Sequence, residues 1–210
     1  HLQARQQRTY ALPPVPARAA ETAESDPLTT PFKPNSMQQE ALQKLHEIRS
    51  KGARKALIVS ATGTGKTFLS AFDAAAFGAA KLLFVVHREN IARAAMKSYA
   101  AIFGNQRTMG LYTGGKRSDA DFVFGTIQTL SREDHLNKFR PDHFDYIIVD
   151  ETHRAGAAIY RKFLDHFQPQ FLLGMTATPE RTDGHDIYSL FDHNLTYEIR
   201  LHRALDEGML

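Results

Sequence analysis

The sequence predicts an α/β fold, a mainly parallel sheet with helices on both faces, and three observations carry that prediction. Short apolar, β-rich runs recur along the chain: ALIVS at 56–60, KLLFVV at 81–86, TMGLY at 108–112, DFVFG at 121–125, DYIIV at 145–149 and FLLGM at 171–175. Helical stretches lie between most of them, such as KTFLSAFDAAAFG, which stops at Gly78, and ENIARAAMKSYAAIFG, which stops at Gly104. Glycine is the usual residue just past a helix end because it adopts left-handed backbone without strain. Finally, the runs are continuously apolar, the pattern of strands covered on both faces.

The first 34 residues are rich in Pro, Ala, Thr and Gln (ALPPVPARAAETAESDP) and hold no sustained period. They read as a linker or extended arm, with a short helix around Ala17 to Ala23 as the alternative. From Ser36 the pattern changes. MQQEALQKLHEIRS places Met37, Ala41, Leu45 and Ile48 at three- and four-residue spacing, an amphipathic helix with Asn35 or Ser36 as its N-cap. The strands and helices above then alternate, and no internal repeat at a fixed period is present.

Composition bounds the class. With 210 residues, 42% of them apolar and 14 of them Phe, the chain can bury a sizeable core. The 26 basic and 23 acidic residues leave a net charge of +3, a balance that permits nucleic-acid binding without demanding it. The absence of Cys excludes disulfides and thiolate metal sites, and the ten His are too scattered for zinc. No apolar stretch approaches the roughly 20 residues that span a bilayer, and the N-terminus lacks the apolar core of a secretion signal. The chain reads as soluble, intracellular and cytoplasmic. It begins with His1 instead of Met, as a fragment or a processed product would.

The chemistry concentrates at strand ends. SATGTGKT at 60–67 follows the first strand and opens a helix. Gly63 and Gly65 let the backbone turn so that successive amides face inward, and the helix adds its positive end, which together make a phosphate cradle. Thr62 and Thr64 complete the loop. Lys66 reaches the β- and γ-phosphates of a nucleotide and Thr67 offers a hydroxyl to magnesium. The strict pattern has Gly or Ala six residues before the lysine, and Ser60 stands there.

About eighty residues on, the strand DYIIV ends in DETH. Two adjacent carboxylates repel and need a cation, which divides the roles: Asp150 orients magnesium, and Glu151 polarises an attacking water. His153 senses the γ-phosphate or passes its state to neighbouring loops. Ligands of open parallel sheets sit at the carboxyl ends of strands. Residues 62–67, His87 and Arg88, residues 126–129, residues 150–153 and residues 176–178 all fall just after a predicted strand, so five polar clusters are expected to converge on one rim.

Together ATGTGKT, DETH and the later GMTATPERTDG resemble the motor core of superfamily 2 DExH helicases and translocases, particularly the branch with the restriction-enzyme and excision-repair motors. The likeness covers about residues 32 to 210. It implies a RecA-like P-loop NTPase domain at 35–200 that hydrolyses ATP with Mg2+. It further implies that Phe32 and Gln38 read adenine. VVHRENIARAA, with His87 and Arg88, resembles a nucleic-acid-contacting motif, and FGTIQTL, with Thr126, Gln128 and Thr129, a later one; such hydroxyls and helix ends suit sugar-phosphate contacts without sequence preference. Thr176 and Thr178 resemble the motif that couples the nucleotide to the strand track.

Family members use two such domains, the second supplying an arginine. Residues 201–210 therefore read as the start of a connection to a second RecA-like domain, and the chain alone is expected to hydrolyse ATP poorly. DNA is preferred to RNA because the branch resembled is mainly DNA-directed. A nucleic-acid-stimulated remodeller that separates no strands and a non-catalytic nucleotide-binding module remain alternatives.

Overall fold

The computed structural model of the chain describes residues 32–60, 63, 65–150, 157–177, 191 and 195–199. A first helix, α1 (Ser36–Ser50), precedes β1 (Lys55–Ser60), α2 (Lys66–Phe77), β2 (Leu82–Val86), α3 (Glu89–Phe103), β3 (Met109–Tyr112) and β4 (Phe122–Thr126). Two short helices, α4 (Ile127–Leu130) and α5 (Glu133–Leu136), lead to β5 (Tyr146–Asp150), α6 (Ala157–His166), β6 (Phe171–Thr176) and β7 (Leu195–Ile199). The six predicted strands are β1 to β6, each within one residue of its expected bounds. β7 was not expected, although Leu195, Tyr197 and Ile199 alternate with polar neighbours as a half-buried strand's residues do.

The seven strands form one sheet in the order β3-β4-β2-β5-β6-β1-β7, and every pairing is parallel. Parallel pairing carries all carboxyl ends to one edge. Register confirms the level: Val86 lies beside Thr126, Asp150 beside Met175, and Val59 beside Thr176.

Each strand divides its side chains between two cores, because successive residues point to opposite faces. Ile58, Phe84, Phe124, Ile148 and Leu173 pack with residues of α1, α2 and α3. Leu57, Val85, Val123, Ile147 and Leu172 pack with residues of α4, α5 and α6. Both faces are therefore covered, which is why the strands carry no polar alternation.

Local signals set the helix ends. Asn35 is the N-cap of α1, accepting from the Gln38 amide at 2.9 Å while Gln38 Oε1 accepts from the Asn35 amide at 3.0 Å, a reciprocal capping box. α2 starts after Gly65 at φ +75° and stops at Gly78 at φ +79°, a left-handed backbone that costs other L-residues about 1–2 kcal/mol. The readings placed on residues 1–31 and 201–210, and those on Thr62, Thr64, Glu151, His153 and Thr178, lie outside the described residues. Among the described residues no helix is long and apolar enough to cross a membrane.

Candidate functional site

The Gly-rich loop leaves β1 at the carboxyl edge and enters α2 with Lys66 as its first residue. Lys66 is 9% exposed, and its ammonium donates to the Ser60 carbonyl at 3.1 Å, so the charge lies inside the loop over the end of β1. Ser60, the departure from the strict motif, is itself buried; a small side chain is what this close approach requires. Gly65 approaches α1 as well. Its carbonyl accepts from Gln38 Nε2 at 3.2 Å, so both ends of the Gln38 amide are engaged, one in the cap and one in the loop. Thr67 is half-buried on the first turn of α2.

Asp150 ends β5, and Thr176 ends β6. β6 lies between β5 and β1, so with strands about 4.8 Å apart the ends of β1 and β5 stand roughly 10 Å from each other. Lys66 and Thr67 thus follow the end of β1, Asp150 closes β5, and Thr176 closes β6 between them. Asp150 is 7% exposed, and Thr176 is fully buried. Among the described residues no cluster of three His, Asp or Glu side chains forms a metal cage. A single carboxylate with a threonine hydroxyl is the donor set that suits magnesium held mainly by a nucleotide's own phosphates.

The remaining rim residues divide by exposure. Arg88 and Gln128 are exposed, and His87 is half-buried. Arg88 is the N-cap position of α3, and its side chain makes no capping bond, so helix capping does not account for it. Thr126 and Thr129 are 8% and 7% exposed, with the Thr126 hydroxyl donating to Thr129 Oγ1 at 3.0 Å. These two hydroxyls face each other at the end of β4.

The structure adds a ring partner for Phe32 and two buried clusters that the sequence reading missed. The Phe32 ring, 44% exposed, stacks on Phe68 of α2 with centroids 5.3 Å apart, one residue past Thr67. Asp73 on α2 is fully buried and accepts from Nη1 and Nη2 of Arg49, at 2.7 and 2.6 Å, and from the Tyr146 hydroxyl. At the end of β3, His135 is 4% exposed between the Tyr112 hydroxyl and Arg117, each 3.0 Å from one of its ring nitrogens. Arg117 can only donate, so Nε2 accepts and the neutral ring keeps its proton on Nδ1. Burial first, and then the Arg117 charge, hold this imidazole below its ordinary pKa. No local sequence signal points to these pairings, which span 18 to 73 residues.

A recess of about 530 Å³ opens between Arg54, Lys55, Arg161, Leu164 and Gln168. It lies at the amino ends of β1 and β6, the edge opposite the Gly-rich loop, and shares no residue with the rim.

A parallel sheet with this strand order, a glycine-lined loop running into α2 and an acidic strand end two strands away define a RecA-like α/β domain. Residues 31–181 match the family model described as the type III restriction enzyme, res subunit, and the chain belongs to that family. It is similar to the EcoAI endonuclease subunit of a type I restriction enzyme from Escherichia coli, 29% identical over 192 residues, covering 84% of this chain and 23% of the relative. The Saccharomyces cerevisiae protein IRC3, described as an ATP-dependent helicase, is 29% identical over 191 residues, 82% of this chain and 27% of its own. The chain thus spans about a quarter of these curated relatives. Among solved structures, a fragment described as the HsdR subunit of a type I restriction enzyme from Vibrio vulnificus superposes with a TM-score of 0.63 at 28% identity, covering 86% of this chain and 33% of that one.

Proposed function

We propose that the chain is the first RecA-like motor domain of an ATP-dependent helicase or translocase, acting on nucleic acid and on DNA in preference to RNA. The reading is supported by the gap that β6 leaves between the ends of β1 and β5, with Lys66 and Thr67 following the one and Asp150 ending the other. That separation of roughly 10 Å suits a triphosphate tail. The motor type is supported by the restriction-enzyme family match and by the relative described as an ATP-dependent helicase.

On this reading the amides around Gly63 and Gly65 and the N-terminus of α2 hold the phosphates, with Thr62 and Thr64 in the same loop. Lys66 neutralises the β- and γ-oxygens. Thr67 and Asp150 would hold magnesium, which would supply neutralisation of phosphate charge there. Glu151 orients a water in line with the γ-phosphorus and accepts its proton, and His153 reads the γ-phosphate. The exposed Phe32 face backed by Phe68 suits stacking with a base, while Gln38 holds the loop to α1. Thr176 and Thr178 link this site to His87, Arg88, Thr126, Gln128 and Thr129, which suit contacts to sugar and phosphate. Residues 35–200 form the ATPase unit, 1–34 an arm and 201–210 a connection to a second RecA-like domain. An arginine from that domain would raise turnover by roughly 10³ to 10⁵.

The test is fluorescence titration with mant-ATP and Mg2+, together with phosphate release in the presence of single-stranded DNA. Lys66→Ala should lose binding; Glu151→Gln should bind as the parent chain does and lose turnover. Undiminished binding in the first, or undiminished turnover in the second, defeats the assignment.

A further inference from the structure

The inner face of α2 is polar where an apolar face would suffice. Lys66, Ser70, Asp73 and Phe77 follow one another at four-, three- and four-residue spacing, one stripe of a helix. Lys66 is 9% exposed, and Ser70 and Asp73 are fully buried. Each polar member is tied to a different element. The Ser70 hydroxyl donates to the Thr67 carbonyl at 2.8 Å and accepts from the Tyr99 hydroxyl of α3 at 2.9 Å. Asp73 takes a two-pronged ion pair from Arg49 of α1 and a hydrogen bond from Tyr146 of β5. The Arg49 guanidinium also lies over the Phe171 ring, 4.8 Å from its centroid, and Phe77 packs on Tyr146 and Phe171.

The three elements joined at Asp73 are those that carry residues of the proposed nucleotide site. α1 carries Gln38, which is bonded to Gly65; α2 begins with Lys66 and Thr67; β5 starts with Tyr146 and ends with Asp150. α1 and α2 are therefore fastened twice, Gln38 to Gly65 near their starts and Arg49 to Asp73 near their ends. A buried ion pair is seldom worth more to stability than apolar side chains of the same volume, and its directional bonds favour one geometry over sliding alternatives. Burial works against the Arg49 charge, yet the bonds and charge of Asp73 leave its pKa above the ordinary value. Burial and the Asp73 carboxylate also push the Tyr146 phenol well up, which keeps it a donor.

We propose that Asp73 is a positioning residue for nucleotide binding: through Arg49 and Tyr146 it sets the height and rotation of α2, hence of Lys66 and Thr67, relative to Asp150. This rests on the nucleotide reading given above. Charge-assisted hydrogen bonds to phosphate weaken steeply as donor and acceptor move out of line, so a shift of Lys66 and Thr67 belongs in affinity and not only in stability.

The test uses the whole chain, mant-ATP with Mg2+ as the probe, and thermal unfolding of every variant. The paired change Arg49→Met with Asp73→Leu, made together with Tyr146→Phe so that no buried hydroxyl loses its acceptor, removes both charges and should leave the midpoint at or above that of the parent chain, while the dissociation constant rises about tenfold, the worth of one hydrogen bond. Tyr146→Phe alone removes one donor, keeps the ring, and should weaken binding by a factor of about three. A combined variant with the parent midpoint and unchanged affinity overturns the proposal. If the combined variant fails to fold, Tyr146→Phe alone decides: a stable protein with unchanged affinity overturns it as well. Failure of the nucleotide reading has a different signature, since the parent chain would then bind mant-ATP no better than Lys66→Ala.

Discussion

Replacing Gly65 by Ala tests the loop geometry at a single atom. Gly65 holds φ +75°, so any Cβ there costs about 1–2 kcal/mol in backbone strain. A Cβ would also stand 2.8 Å from Gln38 Nε2, closer than van der Waals contact allows. Gln38 cannot simply swing aside, because its Oε1 accepts from the Asn35 amide at 3.0 Å; displacing it costs about 1 kcal/mol more in lost hydrogen bonding. The sum, about 2–3 kcal/mol, corresponds to a fall of roughly 4–12 °C in Tm for a domain of this size. Circular dichroism melts of Gly65→Ala, Gln38→Ala and the double variant provide the assay. With the clash partner removed, the cost of Gly65→Ala should shrink to the backbone strain alone, giving a coupling of about 1 kcal/mol. Strict additivity would refute the contact, and a Gly65→Ala melt within about 1 °C of the parent would refute the strain argument too.

Two further outcomes follow from the same geometry. Because burial and Arg117 hold His135 below its ordinary pKa, the unfolded chain binds its proton first as pH falls. The neutral ring's stabilisation is therefore complete above about pH 6.5 and is lost as pH drops from there toward the depressed folded value. Denaturation of His135→Gln between about pH 8 and pH 5 should show a flatter acid limb than the parent, with a residual slope from His143, also held low chiefly by burial; an unchanged limb would count against the assignment. Gly174→Ala would set a Cβ 2.3 Å from the Phe191 ring, and urea unfolding should register a loss of about 1–3 kcal/mol from overpacking. A neutral result would mean that the ring yields freely.

Much of the fold was legible because its signals are short-range. Each strand from β1 to β6 announced itself as an apolar run, the ends of α2 and α3 lay at glycines, and Asn35 with Gln38 formed a capping pair within three residues. β7 escaped because its five residues stand apart from any helix-strand alternation, and its pairing with β1 crosses more than a hundred positions of chain. The Lys66 loop was readable for the same reason as the helix caps: glycine freedom, helix start and lysine reach are all set within a few residues. Phe32 against Phe68 and Arg49 against Asp73 were not, since their partners lie 36 and 24 positions away.

The amino-acid sequence alone determined the class of sheet, the Gly-rich turn into α2 and the identity of the residues at each strand end, because backbone preference and side-chain alternation act between near neighbours. Only the folded chain decided that β6 would separate β1 from β5, that Gln38 would spend its amide on Gly65, and that the lone acid in AFDAAAF would turn inward to meet Arg49 and Tyr146. Helical periodicity says which residues share a face. Which face is buried, and whether a charge there finds its counter-charge, depends on the packing of segments far apart in the chain.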